Sequence, residues 1–310
     1  MSLFYGQIET YSMKKQAIIS SILTFGFLTV GFLWLHTGLA GYGFSFFALL
    51  PFLLGYLLGN QVIKKWSLIG IITTFVIFIV LLLVGGLEGM VCVLLALPPI
   101  LISFAVGTFI RYLFRGWKKQ KGEADESLLK SSILPLVLFA FLGIFEKWWR
   151  NDPQQYVEVR SEISLPYSPL QVYEAIKSVD TLIADKPWLM QLDLPVPRKC
   201  VLEAEKVGGL RTCYFDGGNI VEKITELEPG KVLDMDVIDY QLTGRKWLGF
   251  KKAKYLFEAL PEGGCRMIRI TGYTSVLYPR IYWEPLERMG IEQEHEYVFD
   301  NLKRDLLKSK

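Results

Sequence analysis

Most of the short motifs that announce chemistry are missing from this chain. It has no G-x-G-x-x-G, no P-loop and no serine–histidine–aspartate arrangement. Dinucleotide, nucleotide and triad-hydrolase sites therefore have no sequence support. Histidine occurs twice and cysteine four times in 310 residues, with no C-x-x-C and no cysteine–histidine spacing of a zinc site. Charge is scarce, at 21%, and is absent from the middle of the long apolar runs. An ion or proton pathway through those runs would need it, which counts against a transporter or channel.

What is present is apolar sequence. Hydrophobic residues make up 51% of the chain, and the mean hydropathy is +0.31. Four runs stand out: Gln16 to His36, Phe44 to Ile63, Trp66 to Leu87 and Met90 to Ile110. Each approaches the roughly 20 residues that a helix needs to cross a bilayer. The first is too long for the apolar core of a cleavable signal. A fifth run, about 131–149, has a short apolar core from Ile133 to Phe145. Ser131 and Ser132 extend it at one end, and Trp148 and Trp149 suit the interface at the other. It is expected to cross as a fifth span; the alternative is a re-entrant or surface-lying segment.

Charge orients these runs. Lys14 and Lys15, Lys64 and Lys65, and the Arg111 to Lys121 segment fall on one side of the weave, while the opposite loops hold only Glu88. The pattern is positive-inside, with a cytoplasmic N-terminus. Five spans then put the C-terminal part outside the cytoplasm, in a multi-pass protein of the plasma membrane. Lys118 to Lys130 reads as a cytoplasmic loop. Pro98-Pro99 is expected to kink the fourth helix. Gly55-x-x-x-Gly59 would let another helix approach, including one from a second copy. Residues 1–152 hold 12 basic and 7 acidic side chains, and 153–310 hold 22 and 24. The faintly acidic second half argues against nucleic acid as a partner.

From Tyr156 the pattern changes. Tyr156 to Leu165 alternates as a half-buried strand. Ser168, Pro169 and Gln171 form a capping box that opens a short helix, with Val172, Tyr173 and Ile176 on one side. Asp180 to Arg198 is irregular. Strand signals then follow quickly: Cys200 to Lys206, Leu210 to Phe215, Ile220 to Leu227, Val232 to Tyr240, Ala253 to Leu260 and Cys265 to Tyr273, most of them separated by glycine turns. That order is an antiparallel meander. A terminal helix follows, with Ile291, His295, Val298, Leu302 and Leu306 on one stripe. The expected fold is an α-helical transmembrane bundle (1–152) followed by an α+β domain (153–310), a curved antiparallel sheet around a long C-terminal helix. The space between sheet and helix would seat an apolar ligand.

The stretches EISLPYSPLQVYEAI, GGLRTCYFDGGNIVEKITELEPGKVLDMDV and YLFEALPEGGCRMIRITGY, ahead of that helix, resemble the START-like helix-grip superfamily. The pattern is closest to its polyketide cyclase/dehydrase and lipid-transport branch. The resemblance covers about Tyr156 to Lys308, and its motifs mark turns and strand entries rather than catalysis. It implies a cavity for a lipid, sterol, polyketide or aromatic metabolite, in a family with many non-enzymes.

Single residues carry the candidate site. His295 interrupts the apolar stripe and should point toward the sheet, as a ligand contact, a base or a satisfied core histidine. Glu292-x-x-His295 is half of a di-iron pair without its other half, so neither metal nor cofactor is expected. Arg211, Cys213 and Phe215 share a strand face. If that face is inward, Arg211 would anchor a carboxylate or phosphate; if outward, it is a solvated arginine. Glu222 either pairs with it or faces water. Trp188, Tyr273, Tyr282 and Trp283 are candidates for the cavity mouth or for packing. Asp234, Asp236 and Asp239 read as a solvated strand face. Cys200, Cys213 and Cys265 read as small buried thiols. A Cys200–Cys213 disulfide is conceivable, but the two strands read as out of register by a few residues.

Three functions remain open on these residues. The first is a membrane-tethered module that binds a hydrophobic small molecule or lipid. The second is an enzyme of cyclase or dehydratase type using His295 with Arg211 or Glu222. The third is a protein-interaction or sensory module with a filled cup. Membrane lipids and an apolar ligand are the expected partners.

Overall fold

The computed structural model describes residues 2–39, 41–62, 65–120, 128–150, 155–242 and 247–308. Contacts divide the chain into two units. The first holds residues 1–85, 92–153 and 277–279, and the second 86–91, 154–276 and 280–310.

The first unit is helical. Helix α1 spans Ser2–His36; a π-helical turn, Ser45–Leu49, leads into α2 (Leu50–Val62); α3 (Lys65–Val84), α4 (Met90–Gln120) and α5 (Leu128–Trp149) follow. Among the described residues, three helical stretches are long and apolar enough to cross a membrane: Gln16–His36, Lys65–Val84 and Met90–Phe114. Ser45–Gly59 is apolar but shorter. The expected fifth span begins at residues 131–132, whose side chains lie outside the described residues. The loop expected at Lys118 to Lys130 is a correction. Helix α4 runs through Arg115, Lys118 and Lys119 to Gln120. Lysine and arginine are good helix formers, so the end of the apolar run does not end the helix. Residues 121–127 lie outside the described residues.

Phe27, Leu54, Leu58 and Phe139 form the heart of this unit. The outward faces stay apolar. Ile102, Phe109, Leu134, Phe141 and Trp149 each leave more than half of their surface uncovered. One carboxylate fixes a backbone junction: Glu146 of α5 accepts from the amides of Phe44 and Ser45, at 2.8 Å each, at the start of the π-helical turn. That is a helix N-terminus capped from a distant helix.

The Gly55-x-x-x-Gly59 pair packs within the chain. A Cβ on Gly55 would stand 2.1 Å from the Phe104 carbonyl oxygen of α4, and one on Gly107 of α4 would stand 2.1 Å from the Phe52 carbonyl oxygen. Thr108 Oγ1 donates to the Gly55 carbonyl at 3.3 Å across the same crossing. Small residues here let two backbones touch.

The second unit begins with β1 (Gln155–Leu165), α6 (Pro169–Lys177) and α7 (Trp188–Gln191). Strands β2 (Pro197–Leu202), β3 (Leu210–Phe215), β4 (Gly218–Glu228), β5 (Val232–Leu242), β6 (Leu248–Ala259) and β7 (Cys265–Ser275) follow, and α8 (Arg280–Lys308) ends it. The seven strands form one sheet in the order β1-β7-β6-β5-β4-β3-β2, antiparallel throughout. The capping box forms: the Gln171 amide donates to Ser168 Oγ, and the Gln171 side chain accepts from the Ser168 amide. The α8 stripe Ile291, His295, Val298, Leu302 and Leu306 is buried and joins residues of the sheet and α6 in the core. This is the helix-grip arrangement.

Strand β2 starts earlier than the sequence suggested. The connection to β3 leaves the ladder after Leu202 and closes in a tight turn in which the Gly209 amide donates to the Lys206 carbonyl at 2.8 Å, and Cys200 lies directly opposite Cys213. The two are disulfide-bonded, which corrects the reading of three free thiols. Cys265 stays a free, buried thiol.

The α2–α4 crossing makes a simple prediction. Gly55→Val should lower the melting temperature of the detergent-purified protein, at a cost of about 1–3 kcal/mol from overpacking. Gly26→Ala should leave it unchanged, because a Cβ there meets nothing within 4 Å. Equal melting of the two variants would contradict the crossing.

Candidate functional site

Period-two alternation sends every second side chain of β1 and β7 toward α8. Along β1 these are Val157, Val159, Ser161, Ile163 and Leu165; opposite them on β7 stand Tyr273, Thr271, Arg269, Met267 and Cys265. On α8, Ile291, Glu294 and His295, then Val298 and Leu302, pass the same levels. The three elements turn polar together. Below that level lies an apolar cluster with Val157, Val159, Tyr273 and Ile291. Above it lies a larger one with Leu165, Tyr255, Met267, Val298 and Leu302.

His295 is at the centre of this polar layer and is fully buried. Its Nδ1 bonds Ser161 Oγ at 2.8 Å and its Nε2 bonds Thr271 Oγ1 at 2.7 Å. Burial first, and the Arg269 charge second, hold its pKa well below the usual 6.5. The ring is therefore neutral near pH 7, donating from one nitrogen and accepting at the other.

Arg269 lies beside it, 9% exposed. Its Nη2 donates to Glu294, with Oε1 at 3.0 Å and Oε2 at 2.8 Å. Its Nε and Nη1 are buried and have no acceptor among the described residues. The guanidinium carbon stands 5.5 Å from the centre of the Tyr255 ring, and that of Arg211 stands 5.6 Å from the same ring.

Arg211 faces inward, but its donors are taken. Nη1 donates to Glu222 at 2.9 Å, Nε to the Lys177 carbonyl at 3.0 Å and Nη2 to the Ile176 carbonyl at 3.2 Å. Those carbonyls end α6, so Arg211 caps that helix and ties it to the sheet. Glu222 is its directly opposed partner on β4, and both are buried.

Tyr273 is fully buried. Its hydroxyl donates to Glu287 at 3.1 Å, and Ser275 Oγ donates to the same carboxylate at 2.6 Å. Arg280 completes the group with a two-pronged contact to Glu287 at 3.0 and 2.8 Å. This cluster pins the start of α8 to the end of β7. Burial, then the Glu287 charge, push the Tyr273 hydroxyl well above the ordinary tyrosine value.

The structure thus brings Arg211 to Glu222, and sets His295 and Tyr273 on one sheet–helix interface. Cys213 is held in its disulfide and presents no thiol. Phe215 is half-buried at the end of β3, Tyr282 is half-buried in the first turn of α8, and Trp188 is about half exposed at the start of α7; none of these three is fully buried. Trp283 is buried. Asp234 corrects the reading of a solvated face. It is buried, with Lys254 Nζ at 2.8 Å and Lys252 Nζ at 3.1 Å. Lysine stems from the neighbouring strand fold over it. Asp236 and Asp239 are exposed as expected.

Sequence reasoning passed over Arg269, Tyr255, Glu294, Thr271 and Ser161. A signal existed for Arg269: it falls on the same strand face as Cys265, Met267 and Tyr273, which makes it the charged residue of an otherwise uncharged face.

Two outcomes follow. An exposed histidine titrates near 6.5, whereas folded His295 stays neutral below that value. Unfolding therefore takes up a proton below about pH 6.5. Stability falls there by about 1.4 kcal/mol per pH unit until the folded-state value is reached, and His295→Gln should flatten that part of a pH–melting profile. Arg211→Met should cost about 3–5 kcal/mol by leaving Glu222 buried and unpaired, and adding Glu222→Leu should recover much of it. A double variant as unstable as the single one would contradict this pairing.

No family model matches the chain, and no curated protein matches it. Solved structures similar to it include an uncharacterized protein from Rhizobium leguminosarum, at 14% identity over 49% of this chain and 97% of that one, with a TM-score of 0.36. A protein from Thermus thermophilus matches at 16% identity over 50% of this chain and 99% of its own, with a TM-score of 0.36. Ara h 8.0201 matches at 12% identity over 50% and 99%, with a TM-score of 0.35. Likenesses this distant carry nothing about function, and the fold stands on the chain's own sheet and helix.

Proposed function

We propose that the second unit is a START-like ligand-binding module, tethered at a membrane surface by the apolar helices, that holds a hydrophobic small molecule or lipid between the sheet and α8. The observation that carries this is the polar layer of buried Arg269, Thr271 and His295 with half-buried Ser161 and Glu294 across an otherwise apolar interface. A core built only for stability gains little from such a layer, because buried polar groups cost free energy unless fully paired. A binding site needs a few convergent polar groups among apolar walls. The tether would keep the module close to membrane substrates and raise their effective concentration.

The positive-inside pattern favours a cytoplasmic N-terminus, with the module outside the cytoplasm and the helices in the plasma membrane. The Cys200–Cys213 disulfide supports that side, since such bonds persist in oxidising compartments. The close Gly55–Gly107 approach is already made within the chain, so any self-association would use another helix face. The enzyme reading is weaker, because both ring nitrogens of His295 are engaged by hydroxyls.

Native mass spectrometry with organic extraction tests the binding reading on the full chain purified in detergent. The expected result is a defined apolar molecule retained at about one per chain, as a single cavity holds. Protein that carries only exchangeable detergent would contradict it. A reporter active only in the cytoplasm, fused after Lys310, should be silent; its activity there would overturn the assigned side.

A further inference from the structure

The two buried arginines of the second unit differ in one respect. Every nitrogen of Arg211 meets an acceptor. Arg269 has one nitrogen paired and two, Nε and Nη1, buried without an acceptor among the described residues. A guanidinium carries five N–H donors in a fixed planar fork. Its best partner is a carboxylate that bridges two nitrogens side by side. Glu294 does not do this, since both of its oxygens lie on Nη2. Unmet buried donors on a charged group are costly, and Arg211 on the shared Tyr255 ring adds a second positive charge nearby.

Glu294 is also the more exposed member of the pair, at 17% of its side chain against 10% for Arg269. It stands on α8 and is half-buried there. Two residues along β7 from Arg269 is Met267, fully buried, and Met235 on β5 is equally buried on the same core. Methionines repack readily around a hydrocarbon chain.

We propose that Arg269 anchors the ionised head of a long-chain carboxylic acid, whose carboxylate takes the place of Glu294 while its hydrocarbon lies among the methionines. This deepens the binding reading above and rests on it. The exchange conserves charge: one carboxylate leaves the guanidinium, another replaces it side-on across Nη2 and a neighbouring nitrogen, and one of the two nitrogens that Glu294 leaves unmet gains an acceptor.

The test uses the full chain in detergent, with dodecanoic acid and methyl dodecanoate as probes. Each is measured by mass spectrometry of the protein fraction after gel filtration. The wild type should retain the acid at least ~10-fold better than the ester, the scale of one charge-assisted contact. Arg269→Gln should bring the acid down to the level of the ester and leave the ester unchanged. Glu294→Gln removes the competing carboxylate and should raise acid retention several-fold. Because Glu294→Gln keeps the arginine, it carries the test even where Arg269→Gln fails to fold. Unchanged or lower acid retention in Glu294→Gln would overturn the proposal. Loss of both probes from Arg269→Gln, with Glu294→Gln unchanged, would make the arginine a structural residue. Equal retention of acid and ester in every form would remove the anchor, give its donors to internal water and leave hydrophobic binding intact. Retention of neither probe by any form would remove the binding reading itself.

Discussion

The second unit depends on a layer of polar side chains held at one level of an apolar interface. His295 bonds a hydroxyl on β1 and another on β7 from a single ring, and Arg269 reaches from β7 to Glu294 on α8. A shift of α8 by one residue would rotate these partners apart and bury them unpaired, which the interior does not tolerate. The layer therefore sets the register of the long helix on the sheet. Apolar packing alone would be less exacting, since aliphatic side chains accept many neighbours. Arg211 does the same for α6 by closing its last carbonyls, and Glu287 does so for the first turn of α8.

The first unit solves a different problem. Its helices leave wide apolar faces uncovered. Close backbone approach at Gly55 and Gly107 supplies contact. Glu146 closes the amides at Phe44 and Ser45, where no side chain of the turn itself caps them. In both units a few polar groups fix where apolar segments meet.

Much of this architecture is legible in the sequence, because it follows from period and punctuation. The alternation of β1, the capping box at Ser168 and the α8 stripe each pointed to the element that forms. Strand ends were less legible. The glycine pair after Lys206 forms its tight turn, but β2 ends at Leu202, and the irregular stretch between them sets Cys200 opposite Cys213 where the sequence reads as offset. The candidate site was half legible. Local spacing found Arg211, Glu222, Tyr273 and His295, but could not tell that Arg211 is saturated by the end of α6. Arg269, Glu294 and Ser161 come from β7, α8 and β1, which are far apart in sequence, and only the register of the sheet brings them to one level. Asp234 was misread for a similar reason, since its lysine partners sit on the neighbouring strand.

If the second unit binds a ligand as proposed, the polar layer and the interface between sheet and α8 act as one device. Hydrogen–deuterium exchange on the delipidated full chain, with and without a total lipid extract of the expressing cells, tests that most directly. The account predicts slower exchange with lipid in β7 around Arg269 to Tyr273 and in α8 around Ile291 to Val298, with little change in β2 and β3. Identical exchange in both conditions would mean that the cup is filled by its own side chains, and the account would fail.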